Sequence, residues 1–322
     1  MQLSCRPRVV RRTPDGPGAG RVIRRLHTIG IVARHELQDS IRSRRVIVLL
    51  LLYLAGSAVG TAFFIGVLQR IETQLVESLG LATAGATGNV TATLWKSAAF
   101  RGILTHLIGD RTLAESLLAI PPLALYYGWL SFAFAPALVM LTASVRVSEE
   151  VWSGSVRFVL FRAGRLQWCL GKFAGQAAQI FAALILSAAA AWAVGCLRMH
   201  AFDPAANAAA MLVFAVKAWL YSLAFLGLAT GISQVCGAPN LALALGFIGL
   251  IALSVLTEVS RHFAGAGARR LWDLANLLTP GGHRLDLWWG DAAHVVPAAV
   301  FLLALGGAYL LLGYLFFSRR DL

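Results

Sequence analysis

Six long apolar runs constrain this chain more than anything else in it. They lie at residues 46–68, 120–143, 174–197, 210–235, 239–257 and 295–317. A stretch of about 20 apolar residues is what a helix needs to cross a bilayer. Only 13% of the 322 residues are charged, about half the share of an ordinary soluble domain. A mean hydropathy of +0.71 points the same way. The runs are helical in length and period, and the ~10-residue alternating segments of a membrane β-barrel are absent. Helices satisfy their own backbone in lipid. The expected fold is therefore an all-α integral membrane protein with six transmembrane helices. The second run holds Pro121, Pro122 and Pro136, which predict a start at the interface and a bend near Pro136.

Lys and Arg orient the spans. With the N-terminus inside, the inner segments carry eleven (1–45), five (144–173), none (236–240) and two (318–322). The outer segments carry four (69–119), one (198–209) and four (257–294). Both termini are thus expected in the cytoplasm. The net charge of +13 follows mostly from this bias and from attraction to anionic headgroups. No aromatic-interleaved basic surface suggests nucleic acid as a partner.

Residues 1–20 (RRTPDGPGAG at their end) read as a disordered basic tail. Residues 21–45 read as an amphipathic helix in the membrane interface, with Ile23, Leu26, Gly30, Ala33, Leu37 and Ile41 along one stripe. Residues 46–322 form the six-span domain. Short helices on the outer face are expected within 69–119 (Arg70–Leu79 and Thr93–Ile108) and within 257–294. Trp272, Trp288 and Trp289 of the latter suit a headgroup-level aromatic belt. Asn89-Val90-Thr91 fits a glycosylation acceptor, read here as chance.

No catalytic chemistry stands out. Cys5, Cys169, Cys196 and Cys236 have neither metal nor redox spacing. The seven histidines are dispersed; His262, His283 and His294 share a segment with Asp286 and Asp291, a pattern commoner among solvated loop residues than at a metal site. No metal site or cofactor is expected in this chain. The nearest approach to a phosphate-cradling loop, Gly164 to Gly171-Lys172-Phe173, has six intervening residues and no hydroxyl residue. The chain is not expected to bind ATP.

The segment between the second and third runs, SEEVWSGSVRFVLFRAGRLQWCLGKF (148–173), is short and cationic. It resembles the first cytoplasmic loop of ABC-2 type permeases, the membrane subunits of ATP-driven exporters. Glu149 and Glu150 stand for the family's acidic part, Gly154 and Ser155 for its Gly-Thr, Arg165 for its Arg, and Leu170-Gly171-Lys172 for its closing Leu-Gly-Lys. Ala163-Gly164 stand where the family has a proline. Glu36, Asp39, Arg42 and Arg44 before a Leu-rich span resemble the family's interfacial helix, Leu278-Thr279-Pro280 its outer re-entrant segment, and LFFSRRDL its ending. The resemblance implies a permease subunit of the inner membrane that dimerises with an identical or related chain and binds two ATPase subunits, which carry the ATP and Mg. Glu149, Glu150, Gly154, Ser155, Arg157, Arg165, Gly171 and Lys172 would then form the ATPase-coupling loop. The plain alternative is a solvated loop whose charges serve topology alone.

Tyr126, Trp129, Lys217 and Trp219 are candidates for a substrate path, with interface anchoring or helix packing the commoner role for such residues. Lys217 lies near the expected outer end of its run, from which its ammonium can snorkel to the interface. Two other readings stay open: an ion-coupled secondary transporter, which needs midplane ionisable residues, and a non-transporting membrane anchor or assembly protein.

Overall fold

The computed structural model describes residues 19–78, 111–161, 163–199, 202–263 and 269–320. The tail before residue 19 and the expected helix at 93–108 lie outside them. Helices account for the described secondary structure: α1 (Ala19–Arg42), α2 (Arg44–Ser78), α3 (Arg111–Leu118), α4 (Pro122–Ala143), α5 (Arg146–Trp152), α6 (Val156–Leu160), α7 (Arg165–Arg198), α8 (Pro204–Val235), α9 (Pro239–Phe263), α10 (Arg269–Leu278) and α11 (Ala292–Ser318). Two short 3₁₀ turns, Pro280–His283 and Asp286–Trp288, join α10 to α11. Six of these helices, α2, α4, α7, α8, α9 and α11, are long and apolar enough to cross a membrane.

Local chemistry sets several of their ends. At α8, Asp203 accepts N–H bonds from Ala205 and Ala206 at 3.0 Å each, and Pro204 occupies the first turn. Both features favour helix initiation, so α8 begins six residues before the apolar run does. At α7, the Gly164 N–H donates to the Gln167 side chain at 2.9 Å, and the helix includes the polar residues 165–173. Pro122 opens α4, which continues unbroken through Pro136.

α8 is the hub, packed on α4, α7, α9 and α11. In the most apolar window of α4, 72% of residues are buried, against 17% in α2 and in α9. α4 therefore belongs to the centre, while α2 and α9 give most of their surface to lipid or to another chain. Two small-residue contacts let α8 and α11 touch backbone to backbone. A Cβ on Gly306 would lie 2.7 Å from the Leu223 carbonyl oxygen, and one on Gly231 would lie 2.6 Å from the Tyr309 carbonyl oxygen. Gly227 meets Gly306, and Gly231 meets Gly313, in the same way. Close approach of this kind replaces the hydrophobic drive that helices lack in lipid.

Side-chain-to-backbone bonds tie the interior. Tyr127 donates to the Leu184 carbonyl at 2.8 Å and Trp219 to the Ala177 carbonyl at 2.8 Å.

Candidate functional site

One end of the bundle gathers α1, the start of α2, the α5–α6 turn, the start of α7 and the end of α11. α1 lies along the first turns of α7 because α7 presents glycine there. A Cβ on Gly171 would fall 2.5 Å from the Val32 Cβ, and one on Gly175 would fall 2.8 Å from the Glu36 Cβ. The face of α1 turned inward mixes apolar Val32 with polar Glu36 and Ser40, the latter two 4% and 2% exposed, while Leu26 and Ile41 of the apolar stripe remain 63% and 71% exposed. The polar side with Glu36 and Ser40 is thus enclosed by the protein, whereas Leu26 and Ile41 stay on its surface.

That polar side closes on a buried charge network. Lys172 Nζ lies 2.6 Å from Glu36 Oε2 and 2.5 Å from Glu150 Oε1. Gln176 donates to Glu36 Oε1 at 2.6 Å. Arg146 stands 3.8 Å from Glu36 and 3.9 Å from Asp39, and donates to Ser40 Oγ at 3.2 Å. The Lys172 ammonium also lies 5.5 Å from the Trp168 ring centroid, within cation–π range. An isolated buried charge would be prohibitive; paired and hydrogen-bonded charges are tolerated. The network thereby connects α1, α5 and α7. Outside it, Arg45 at the start of α2 pairs with Glu149 at 3.3 Å, both partners being largely exposed.

Burial by itself pushes the Glu36 carboxyl up, but the Lys172 charge and hydrogen bond, with Arg146 and Gln176, outweigh it and hold the group below its ordinary 4.5. A depressed folded value means the carboxylate's contribution is fully present above the unfolded value and is lost as pH falls through the folded one. The melting midpoint of the detergent-solubilised protein is expected to gain no slope from this residue between pH 7 and about 5. It should then drop at lower pH, with a shallower drop in Glu36→Gln. Equal acid slopes in the two proteins would refute this.

The remaining residues of the polar segment divide cleanly. Gly154 turns the chain between α5 and α6 with a φ of 72°, a conformation that costs glycine little. Ser153 and Ser155 share a 3.0 Å hydroxyl contact there, and Ser155 donates to the Glu150 carbonyl at 3.3 Å. Arg165 points back into the protein and donates to the Ser318 carbonyl at 2.5 Å, capping the end of α11. Gly171 is a packing residue and Lys172 a buried one. Arg157, Arg42 and Arg44 are exposed. Arg162 lies outside the described residues. Val156 folds under the turn against Val147, Trp168, Cys169 and Phe317. What the turn presents outward is aromatic: Trp152, Phe158 and Phe161 are 72%, 77% and 87% exposed. Motif resemblance singles out the charged and small residues of this segment, not these three, although large aromatics in a short polar connection are themselves a signal.

The path candidates separate into two places. Tyr126 and Trp129 line a groove of about 780 Å³ between α2 and α4, with Leu52, Gly56, Phe63 and Phe134. Its lining carries no charged residue. Phe64 stacks on Tyr126 at 4.3 Å and Trp129 on Tyr126 at 6.1 Å. Lys217 and Trp219 are elsewhere. Lys217 sits well inside α8, where its ammonium donates to the Trp289 carbonyl at 2.7 Å. That bond ties α8 to the segment before α11.

Among the described residues no three His, Cys, Asp or Glu side chains gather as metal ligands would. His283 and His294 instead face Asp286 and Asp291, at 3.5 and 2.9 Å.

These features define a multi-pass helical membrane protein with a charged end that holds its first helix, α1, against α7. The chain belongs to the ABC-2 family of transporter proteins, whose family model matches residues 31–322. It is therefore a permease component of the ABC type, a membrane subunit that is not itself catalytic. Members generally partner with an ATPase subunit and are often dimeric. No curated protein matches the chain.

Proposed function

We propose that this chain is the membrane half of an exporter of the inner membrane, with both termini in the cytoplasm, and that two ATPase subunits holding ATP and Mg drive a pair of such chains. The carrying observation is the aromatic turn at α5–α6. Trp152, Phe158 and Phe161 project from a base that is anchored by Val156 below and by the Lys172–Glu150 pair beside it. Exposed aromatics on a rigid support are what a partner's groove takes as its energetic anchor. In this reading the coupling role passes from Glu149 and Glu150, which are engaged within the chain, to these three rings. A push on α5 reaches α1 and α7 through the buried network and shifts the bundle between inward and outward access. The uncharged α2–α4 groove with Tyr126 and Trp129 favours an apolar or aromatic moiety on the exported molecule. The bond from Lys217 to a backbone carbonyl disfavours the ion-coupled alternative.

Co-expression with the ATPase encoded beside this chain tests the proposal. Wild-type protein is expected to carry the ATPase through a tag on this chain. Phe158→Glu or Trp152→Ala should each weaken that association by about 2 kcal/mol, roughly 30-fold, while Glu149→Gln should change it little. Undiminished co-elution in both aromatic variants would place the contact elsewhere.

A further inference from the structure

A second groove, of about 240 Å³, runs between α8, α9 and α11 toward the same end of the bundle. Its lining is apolar throughout and includes Ile232, Val235, Cys236, Tyr309, Leu312 and Phe316. It opens outward, since Val235, Leu312 and Phe316 are 51%, 56% and 66% exposed. On α11 the lining residues Tyr309, Leu312 and Phe316 recur at helical spacing, and Arg320 follows Phe316 by four, which continues the same stripe past the helix end. The Arg320 guanidinium lies just past this lining, beside the α8–α9 turn. Its Nη2 lies 3.0 Å from where a Cβ on Gly237 would stand, next to Cys236 in the lining. Its Nη1 is enclosed and has no hydrogen-bond partner among the described residues. No charged residue is in the groove lining; Arg319 beside Arg320 is cationic, and Asp321, which follows Arg320, lies outside the described residues.

An apolar slot open to the bilayer, ending in a guanidinium at headgroup depth, has the two halves of a phospholipid in the right order. Arginine also suits a phosphodiester because its planar fork can donate two parallel bonds. We infer that this groove holds one anionic phospholipid, its acyl chain along Ile232, Leu312 and Phe316 and its phosphate on Arg320. The site is separate from the aromatic turn and from the α2–α4 groove, so it does not depend on the function proposed above.

The test is native mass spectrometry of the full chain released from nanodiscs of equal phosphatidylglycerol and phosphatidylcholine. Wild-type protein is expected to retain about one phosphatidylglycerol per chain and far less phosphatidylcholine. Arg320→Gln should lower that occupancy about tenfold, the low end for losing a hydrogen bond to a charged group, and Arg320→Lys should retain more of it. Leu312→Trp, which fills the slot and leaves every charge in place, should lower it comparably. Arg319→Gln, on an exposed neighbour, should not. Equal loss in Arg319→Gln and Arg320→Gln would mean diffuse attraction only and would overturn the site. So would full retention in Leu312→Trp, or equal retention of the two lipids by wild-type protein.

Discussion

Lys172→Met is expected to destabilise the protein by about 3–5 kcal/mol, the range for removing one partner of a buried pair. The loss arises because Glu36, 4% exposed, would keep only Arg146 at 3.8 Å and the Gln176 amide. The readouts are the melting midpoint in detergent and protease cleavage within α1, which should become faster as the helix leaves α7. Adding Glu36→Gln to the same variant removes the stranded charge and is expected to restore much of the loss, since neutral replacements of a buried pair are often nearly neutral. Glu150→Gln alone should cost no more than about 1 kcal/mol, because that partner's side chain is 30% exposed. If Lys172→Met melts like wild type, the network does not hold α1 in place.

The second large effect is expected at the α8–α11 crossing. Gly306→Val places a Cβ 2.7 Å from the Leu223 carbonyl oxygen and 3.1 Å from the Ala224 Cα. Both obstacles are backbone, so no side-chain rotation relieves them. Overpacking typically costs about 1–3 kcal/mol, and a backbone clash at the hub helix should reach or exceed the top of that range. Gly307→Val makes the control: it is the same substitution one residue along, where nothing lies within 4 Å. The expected outcome is a variant at 306 that melts far lower or fails to accumulate, beside one at 307 close to wild type. Similar behaviour of the two would show that the small-residue contacts do not set the packing of α8 on α11.

The spans were legible because burial in lipid demands length and apolarity, both of which are local properties of a sequence. Their polar ends were not. The run 165–173 reads as loop by hydropathy, yet it is helix, because Gln167 satisfies the Gly164 N–H and because α1 shields Gly171 and Lys172 from water. The α8–α11 crossing left a trace, Gly227 and Gly231 four apart, but the sequence does not say which helix faces them.

The candidate site shows the same division. Glu36, Glu149, Glu150, Arg165 and Lys172 were all marked by their resemblance to the family's loop and first helix. Which of them face a partner and which face one another depends on how α1 lies across α7. Arg165, at the start of α7, caps the end of α11, 153 residues away in sequence, a distance at which no periodicity carries information. The aromatic turn stands out in the fold because Glu149 and Glu150 beside it are engaged within the chain.

The sequence by itself determined the solvent of this protein, its six spans and the amphipathic character of its first helix. Each follows from how many apolar side chains stand in a row and at what period. That Glu36 turns inward while Leu26 and Ile41 stay on the surface, and that Lys172 answers Glu36 from α7, came only with the packing of α1 on α7. Charges can be buried in a membrane protein only as partners, and partnership across helices is a property of packing.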